Sequence, residues 1–324
     1  MALTFHQLHP LFAAEVTSPM ELSNLHDEDV LAEIRAGMDR YAVLVFHNQA
    51  FSDAEQLAFA ERLDGQLNRN RVLDKKRWDN DALVDISNLD ETGEILDTYS
   101  RRRMYSLGNR LWHCDASFND PRGRYSMLHA RDVPPVGGDT EFCDLRAAYD
   151  DLDDETKALV EGLSAHHSVM HSRAYLGFED FSQDESSRLA GAVHPLVHTI
   201  PGSGRKSLYI ASHASKIIDW PVPDGRLLLL DLRDHAVQKQ YRYTHNWTNG
   251  DLVIWDNRCT MHRGLPYEDT KYRRELRRVT TLDVPRTVPE SQPAIAIETR
   301  ESGQAQSLAP LGRDVLVGDA GQLL

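Results

Sequence analysis

His113 and Asp115 stand two residues apart in LWHCDASF, and a third candidate ligand, His262, follows a turn in GDLVIWDNRCTMHRG. If His113 and Asp115 lie on a strand, both side chains leave the same face about 6.6 Å apart, near enough to converge on one ion. The pattern is weak by itself: with 15 His in an acidic chain, roughly two His-x-Asp/Glu matches arise by chance. The second match, His26 and Glu28, falls in the helical pattern SNLHDEDVLAEI, where positions i and i+2 diverge around the axis, so it is set aside. Two imidazoles and a carboxylate on one side of an ion, with open positions opposite, form the ligand set of non-haem Fe(II) oxygenases. Zinc accepts the same donors, so a zinc hydrolase or a non-catalytic metal-binding β-barrel stays open at this level.

A site of that kind must also hold an anionic co-substrate, and Arg274 lies beyond His262 in KYRRELRRV. On a strand, Arg274, Leu276 and Arg278 share one face, and Arg273, Glu275 and Arg277 the other. Two guanidiniums roughly 13 Å apart then look inward, each suited to fork onto a separate carboxylate. A solvated basic strand or nucleic-acid patch is the alternative; overall acidity and the lack of interleaved aromatics oppose it.

These residues need a scaffold, and short runs between turn signals supply one. Tyr41–Phe46, Arg124–Ala130, Pro195–Ile200, Ser207–Ala211, Tyr241–Trp247 and Leu252–Asp256 are rich in Val, Ile, Leu or Tyr and predict strands. SDAEQLAFAERLDG predicts a helix, with Ser52 and Glu55 as a capping box and Gly65 at the stop. Asp153–Leu163 and about Asp224–Gln238 predict two more. Many short strands and few helices argue for a mainly β architecture with decorating helices. The charged stretch 66–109 predicts long loops that would carry substrate selection. Residues 1–286 are read as one domain and 287–324 as an extended or partly disordered tail.

Composition narrows the function classes. The 36 Lys+Arg and 50 Asp+Glu leave a formal charge of −14, which argues against coating a phosphate backbone or an anionic membrane. With 41% hydrophobic residues the chain can bury a full core. Three cysteines without paired spacing point to buried thiols in a reducing, cytoplasmic compartment rather than a disulfide framework. The N-terminal segment has no basic flank followed by an apolar run, so no secretory leader is expected. The longest aliphatic run, Leu227 to Leu230, is far short of the ~20 residues of a membrane span. PGSGRK lacks the G-K-[ST] of a phosphate loop and reads as a hairpin turn. The expected partner is a small acidic molecule, with neither nucleic acid nor membrane; the oligomeric state, a homo-oligomer included, stays open.

In LHPLFAAEV, LWHCDASF, RYSMLHARDVPPVGGDTEFCDLRAAYD, PGSGRKSLYI, HASKI, GDLVIWDNRCTMHRG and RRELRRVTTLD, the chain resembles the Fe(II)- and 2-oxoglutarate-dependent dioxygenases of the taurine dioxygenase group, above all its phenoxyacetate-oxidising branch. The blocks run in matching order from about residue 8 to residue 284. The resemblance implies a double-stranded β-helix (jelly-roll) core and a requirement for Fe(II), 2-oxoglutarate and O2. It implies His113, Asp115 and His262 as iron ligands, and Thr140 and Arg274 as holders of the distal carboxylate of 2-oxoglutarate. Arg278 matches the arginine that binds the acid group of the prime substrate, and Ser117 and His213 match pocket positions. The substrate it suggests is an aryloxyacetate, with a sulfonate, an amino acid or a secondary-metabolite acid as alternatives. Lys216 and the TIPG around Ile200 depart from that branch, so the iron and co-substrate positions carry over more directly than the substrate pocket.

Overall fold

In the computed structural model, residues 3–17, 21–69, 77 and 80–286 are described. The proposed tail and part of the charged stretch 66–109 lie outside them. Fifteen strands are assigned among these residues. They are β1 (Thr4–Gln7), β2 (Ala14–Thr17), β3 (Val43–Phe46), β4 (Leu83–Ser87), β5 (Gly123–Asp132), β6 (Thr140–Asp144), β7 (Ser164–His167), β8 (Ala192–Pro195), β9 (Val197–Thr199), β10 (Lys206–Leu208), β11 (Ala214–Ile217), β12 (Arg242–His245), β13 (Leu252–Asp256), β14 (Thr260–Gly264) and β15 (Glu275–Leu282). The α-helices are α1 (Glu28–Tyr41), α2 (Asp53–Asp64), α3 (Arg101–Ser106), α4 (Leu145–Asp150), α5 (Asp154–Val160), α6 (Val169–Ala174), α7 (Gln183–Arg188) and α8 (Val222–Ala236).

Two sheets carry the architecture: a seven-stranded one in the order β1-β2-β3-β13-β5-β15-β4, and a three-stranded one in the order β12-β6-β14. Side-chain alternation assigns the faces. Val43, Val45, Leu128, Ala130, Val253, Trp255 and Leu276 of the large sheet share a buried cluster with Phe142 of β6, so the two sheets pack on each other there. Their neighbours Leu44, Phe46, Tyr125, Met127, Leu252, Ile254 and Val279 point the other way, into a cluster with α1 and α2. Behind the small sheet, Cys143 and Met261 join a third cluster with α4, α8 and Leu208 to Ala211. Each sheet is thus covered on both faces, which explains why β13 reads as a continuous apolar run.

The structure departs from the sequence expectations in several places. The helix from Asp53 to Asp64 has the predicted capping box and ends at Gly65, whose φ is 97°. Helices are more numerous than expected, because α3, α4, α6 and α7 span only six residues each, too short for a periodic pattern, and start at Ser or Asp caps. The stretch 66–109 is not all loop: β4 pairs with β15, and α3 follows. Leu196 divides Pro195–Ile200 between two small sheets, and the PGSGRK hairpin joins β9 to β10. His26 precedes α1, whose N-cap is Asp27, so the helical argument used to set it aside does not apply. No helix among the described residues is long and apolar enough to cross a membrane.

Candidate active site

His262 sits on β14, opposite Phe142 of β6, inside the small sheet. His113 joins that edge through one isolated bridge: its N–H donates to the His262 carbonyl (3.0 Å) and the His262 N–H donates back (2.9 Å). The HxD segment is therefore not the regular strand expected from the sequence; it is a single bridge followed by a turn that holds Asp115. Ala116 takes φ 54° there and redirects the chain. The result still gathers the three side chains. Their ligating atoms lie within 4.8 Å of one another, a grouping found at no other place among the described residues.

Each donor is oriented by a neighbour. His113 Nδ1 is 2.7 Å from the Leu111 carbonyl, which makes Nδ1 the protonated nitrogen and leaves Nε2, 3.8 Å from Asp115 Oδ1, with its lone pair. His262 Nε2 is 3.7 Å from Asp115 Oδ2, and its Nδ1 is buried without a hydrogen-bond partner. The Ser126 hydroxyl donates to Asp115 Oδ2 (2.7 Å), and the Asp115 N–H donates to Asn257 Oδ1 (2.9 Å). The same oxygen accepts from Trp255 Nε1 (3.0 Å), while Asn257 Nδ2 donates to Ser126 Oγ (3.0 Å). Trp255 also packs on the His262 ring at 4.6 Å.

Electrostatics set the right protonation states for a cation. Burial pushes His113 down to about 4 and His262 well below its ordinary value, so both imidazoles are neutral near pH 7. Burial alone would raise Asp115, but Arg278, the two imidazoles and the Ser126 hydroxyl outweigh it and hold the carboxyl below its usual range. Two donors each about 2.1 Å from one ion can be at most about 4.2 Å apart. The 3.7 and 3.8 Å His–Asp separations fall inside this limit and all three donors lie within 4.8 Å of one another, so neutral His and ionised Asp suit a divalent metal that would draw the three slightly closer.

The triad forms part of the wall of a cavity of ≈ 310 Å³. Around it stand seven arginines (77, 102, 103, 110, 173, 274 and 278) against Asp81, Asp85, Asp115 and Asp269, an electropositive lining in an acidic protein. Arg274 lies one residue before β15. Its backbone N–H donates to Asn88 Oδ1 (2.8 Å) and its Nε to the Gly138 carbonyl (3.1 Å). No carboxylate among the described residues lies within ion-pair distance of it, and burial lowers its pKa. Thr140 Oγ1 accepts from Trp247 Nε1 (3.0 Å), which leaves its own proton free to donate. Arg278 lines the cavity from β15 but its Nη1 contacts Asp115 Oδ1.

His213 also lines the cavity, with Nδ1 2.9 Å from Ser172 Oγ and its ring edge-on to His113 and Phe118. Ser117 is fully buried next to Asp115, is not among the residues that line this cavity, and its hydroxyl has no partner. The left-handed Ala116 lets Asp115 face the cavity while Ser117 does not. Ser126, Asn257 and Arg173 are functional-site residues that the sequence alone did not single out. Asn257 lies inside WDNRCTMHRG and could have been flagged there; Arg173 carries no local signal at all.

Residues 4–280 match the family described as taurine catabolism dioxygenase TauD, TfdA family. The alpha-ketoglutarate-dependent 2,4-dichlorophenoxyacetate dioxygenase of Cupriavidus pinatubonensis is 44% identical over 87% of this chain and 99% of its own length. The (S)-phenoxypropionate/alpha-ketoglutarate-dioxygenase of Sphingobium herbicidovorans is 35% identical over 82% of this chain and 90% of its own. Among solved structures, AAD-2 in complex with Mn(II) and N-oxalylglycine superposes with a TM-score of 0.84 at 43% identity, covering 89% of this chain and all of that one.

Proposed function

The chain belongs to the TauD, TfdA family and is a 2-oxoglutarate-dependent dioxygenase that uses Fe(II) and O2, and from that premise we propose that it hydroxylates an aryloxyacetate. The observation that carries the reading is an electropositive cavity set directly over a His-Asp-His triad. The two facing sheets are read as a double-stranded β-helix, residues 1–286 as one domain, and the setting as cytoplasmic.

In this reading His113, Asp115 and His262 would hold the iron. Arg274 forks onto the distal carboxylate of 2-oxoglutarate while the Thr140 hydroxyl donates to it. Iron with 2-oxoglutarate and O2 supplies the oxidising power, one oxygen atom leaving in succinate with loss of CO2 and the other entering a C–H bond of the substrate. The protein's work is placement. Arg278 draws the substrate acid group toward the triad so that the adjacent C–H is presented to it, and His213 closes the wall beside His113. Hydroxylation next to the ether oxygen yields a hemiacetal that collapses to a phenol and glyoxylate.

Succinate release across aryloxyacetates, taurine and amino acids tests the substrate class, with phenol and glyoxylate expected from the first group. Arg278→Ala, or a neutral amide in place of the acid, is expected to lower kcat/KM about 10- to 100-fold, the worth of one charge-assisted hydrogen bond. Equal turnover of acid and amide by the unaltered enzyme would sink the anchoring role.

A further inference from the structure

Of the seven buried arginines among the described residues, five lie within ion-pair distance of a carboxylate. The two that do not are Arg173 and Arg274, and both line the cavity. A guanidinium buried without a counter-ion is costly, and the cost is tolerable where the counter-ion arrives with a ligand. The co-substrate accounts for Arg274. It leaves Arg173.

Arg173 projects from α6 and is only 3% exposed. Its Nη1 donates to Ser172 Oγ (3.2 Å), its guanidinium carbon lies 4.4 Å from the centre of the Tyr105 ring, and its Nε has no partner. Ser172 Oγ also meets His213 Nδ1, so from behind the lining it ties Arg173 to His213, both of which line the cavity beside Tyr105. Arg278, the other candidate for an acid group, already touches Asp115. Arg77, Arg102, Arg103 and Arg110 are likewise engaged, with Asp85, Glu275 or Asp269. Arg173 is thus the cavity cation whose charge neither protein nor co-substrate matches.

We infer that Arg173 is a specificity-determining residue, the guanidinium that receives the acid group of the prime substrate at the α6 wall, with Arg278 acting from β15. This rests on the reading that the prime substrate is a small acid. Arg173 would then select acids over neutral analogues, while substrate shape is read elsewhere in the cavity.

Three variants of the iron-loaded enzyme test it. Arg173→Met removes the charge, and Arg173→Lys keeps the charge without the fork. Gly108→Ala leaves Arg173 intact but drives a methyl group into its guanidinium, where the backbone of Gly108 now packs. The best acid of the substrate panel and its neutral amide are compared, with KM for 2-oxoglutarate and thermal unfolding followed alongside. Arg173→Met is expected to raise KM for the acid about 10- to 100-fold, with less than about a two-fold change for the amide or 2-oxoglutarate by the same reasoning. Gly108→Ala should shift KM in the same direction, and Arg173→Lys should recover part of the loss. A purely structural arginine would depress acid, amide and 2-oxoglutarate turnover together; that result, or an unchanged KM for the acid, overturns the inference. If the best acid is not an aryloxyacetate, the substrate reading falls and Arg173 is judged on that other acid. If no acid stimulates succinate release, both fall.

Discussion

Arg274 shows how one side chain can be held ready for a ligand. Two hydrogen bonds, to Asn88 and Gly138, fix its backbone and Nε, and the head group faces the cavity without a protein carboxylate. Arg274→Met is expected to raise KM for 2-oxoglutarate about 10- to 100-fold while leaving Mn(II) affinity unchanged; loss of metal binding as well would show that the residue supports the triad instead. Residue identity here was readable in advance, since a guanidinium after a metal-binding histidine has a definite use. That Arg274 and Arg173 lack carboxylate partners was not readable, because pairing depends on which of 50 acidic residues come near.

Elements decide how the triad closes. β5 begins at Gly123, and a Cβ there would stand 2.8 Å from the Asp115 carbonyl oxygen and 3.1 Å from Thr280 Cγ2. Only a missing side chain lets β5 pass this close to the turn that carries Asp115. Gly123→Ala should force the turn outward, cost about 1–3 kcal/mol of stability and weaken Mn(II) binding, measured by titration and by urea unfolding. Wild-type metal affinity in a folded Gly123→Ala enzyme would show that the turn does not depend on this approach. The strand reading of LWHCDASF failed at this same scale. Period-2 alternation would have aimed both His113 and Asp115 correctly, but one bridge and the left-handed Ala116 do it instead, and they turn Ser117 out of the cavity lining.

Across the whole molecule, stability is linked to pH through buried histidines outside the triad, one of which, His167, pairs beside the His213 segment of the cavity wall. Burial pushes His167 and His198 down to about 3. Above pH ~6.5, the ordinary histidine value, both are neutral in folded and unfolded chains and contribute no pH dependence. Between ~6.5 and the folded value the unfolded chain binds protons that the folded one refuses, so stability falls with pH by about 1.4 kcal/mol per unit for each imidazole. Both nitrogens of His167 lack partners and its ring stacks on Tyr209 at 5.2 Å, so phenylalanine can replace it without losing a hydrogen bond. His167→Phe is expected to reduce the stability lost between pH 6 and 5 by about 1 kcal/mol, read from urea unfolding at each pH. An unchanged pH slope would refute the linkage.

The sequence by itself determined the chemistry-bearing residue types, the order in which they occur, the long α2 with its caps, and the β13 run that leads through a turn to His262. Those signals are local: spacing, capping and alternation act within a few residues. Only the tertiary structure decided that the arginines of the cavity divide into ion-paired and unpaired, that Ser126 and Asn257 brace Asp115, and that α6 contributes a cation to the wall. Each of these joins segments far apart in the chain, and such meetings depend on how two sheets pack, which no window of sequence contains.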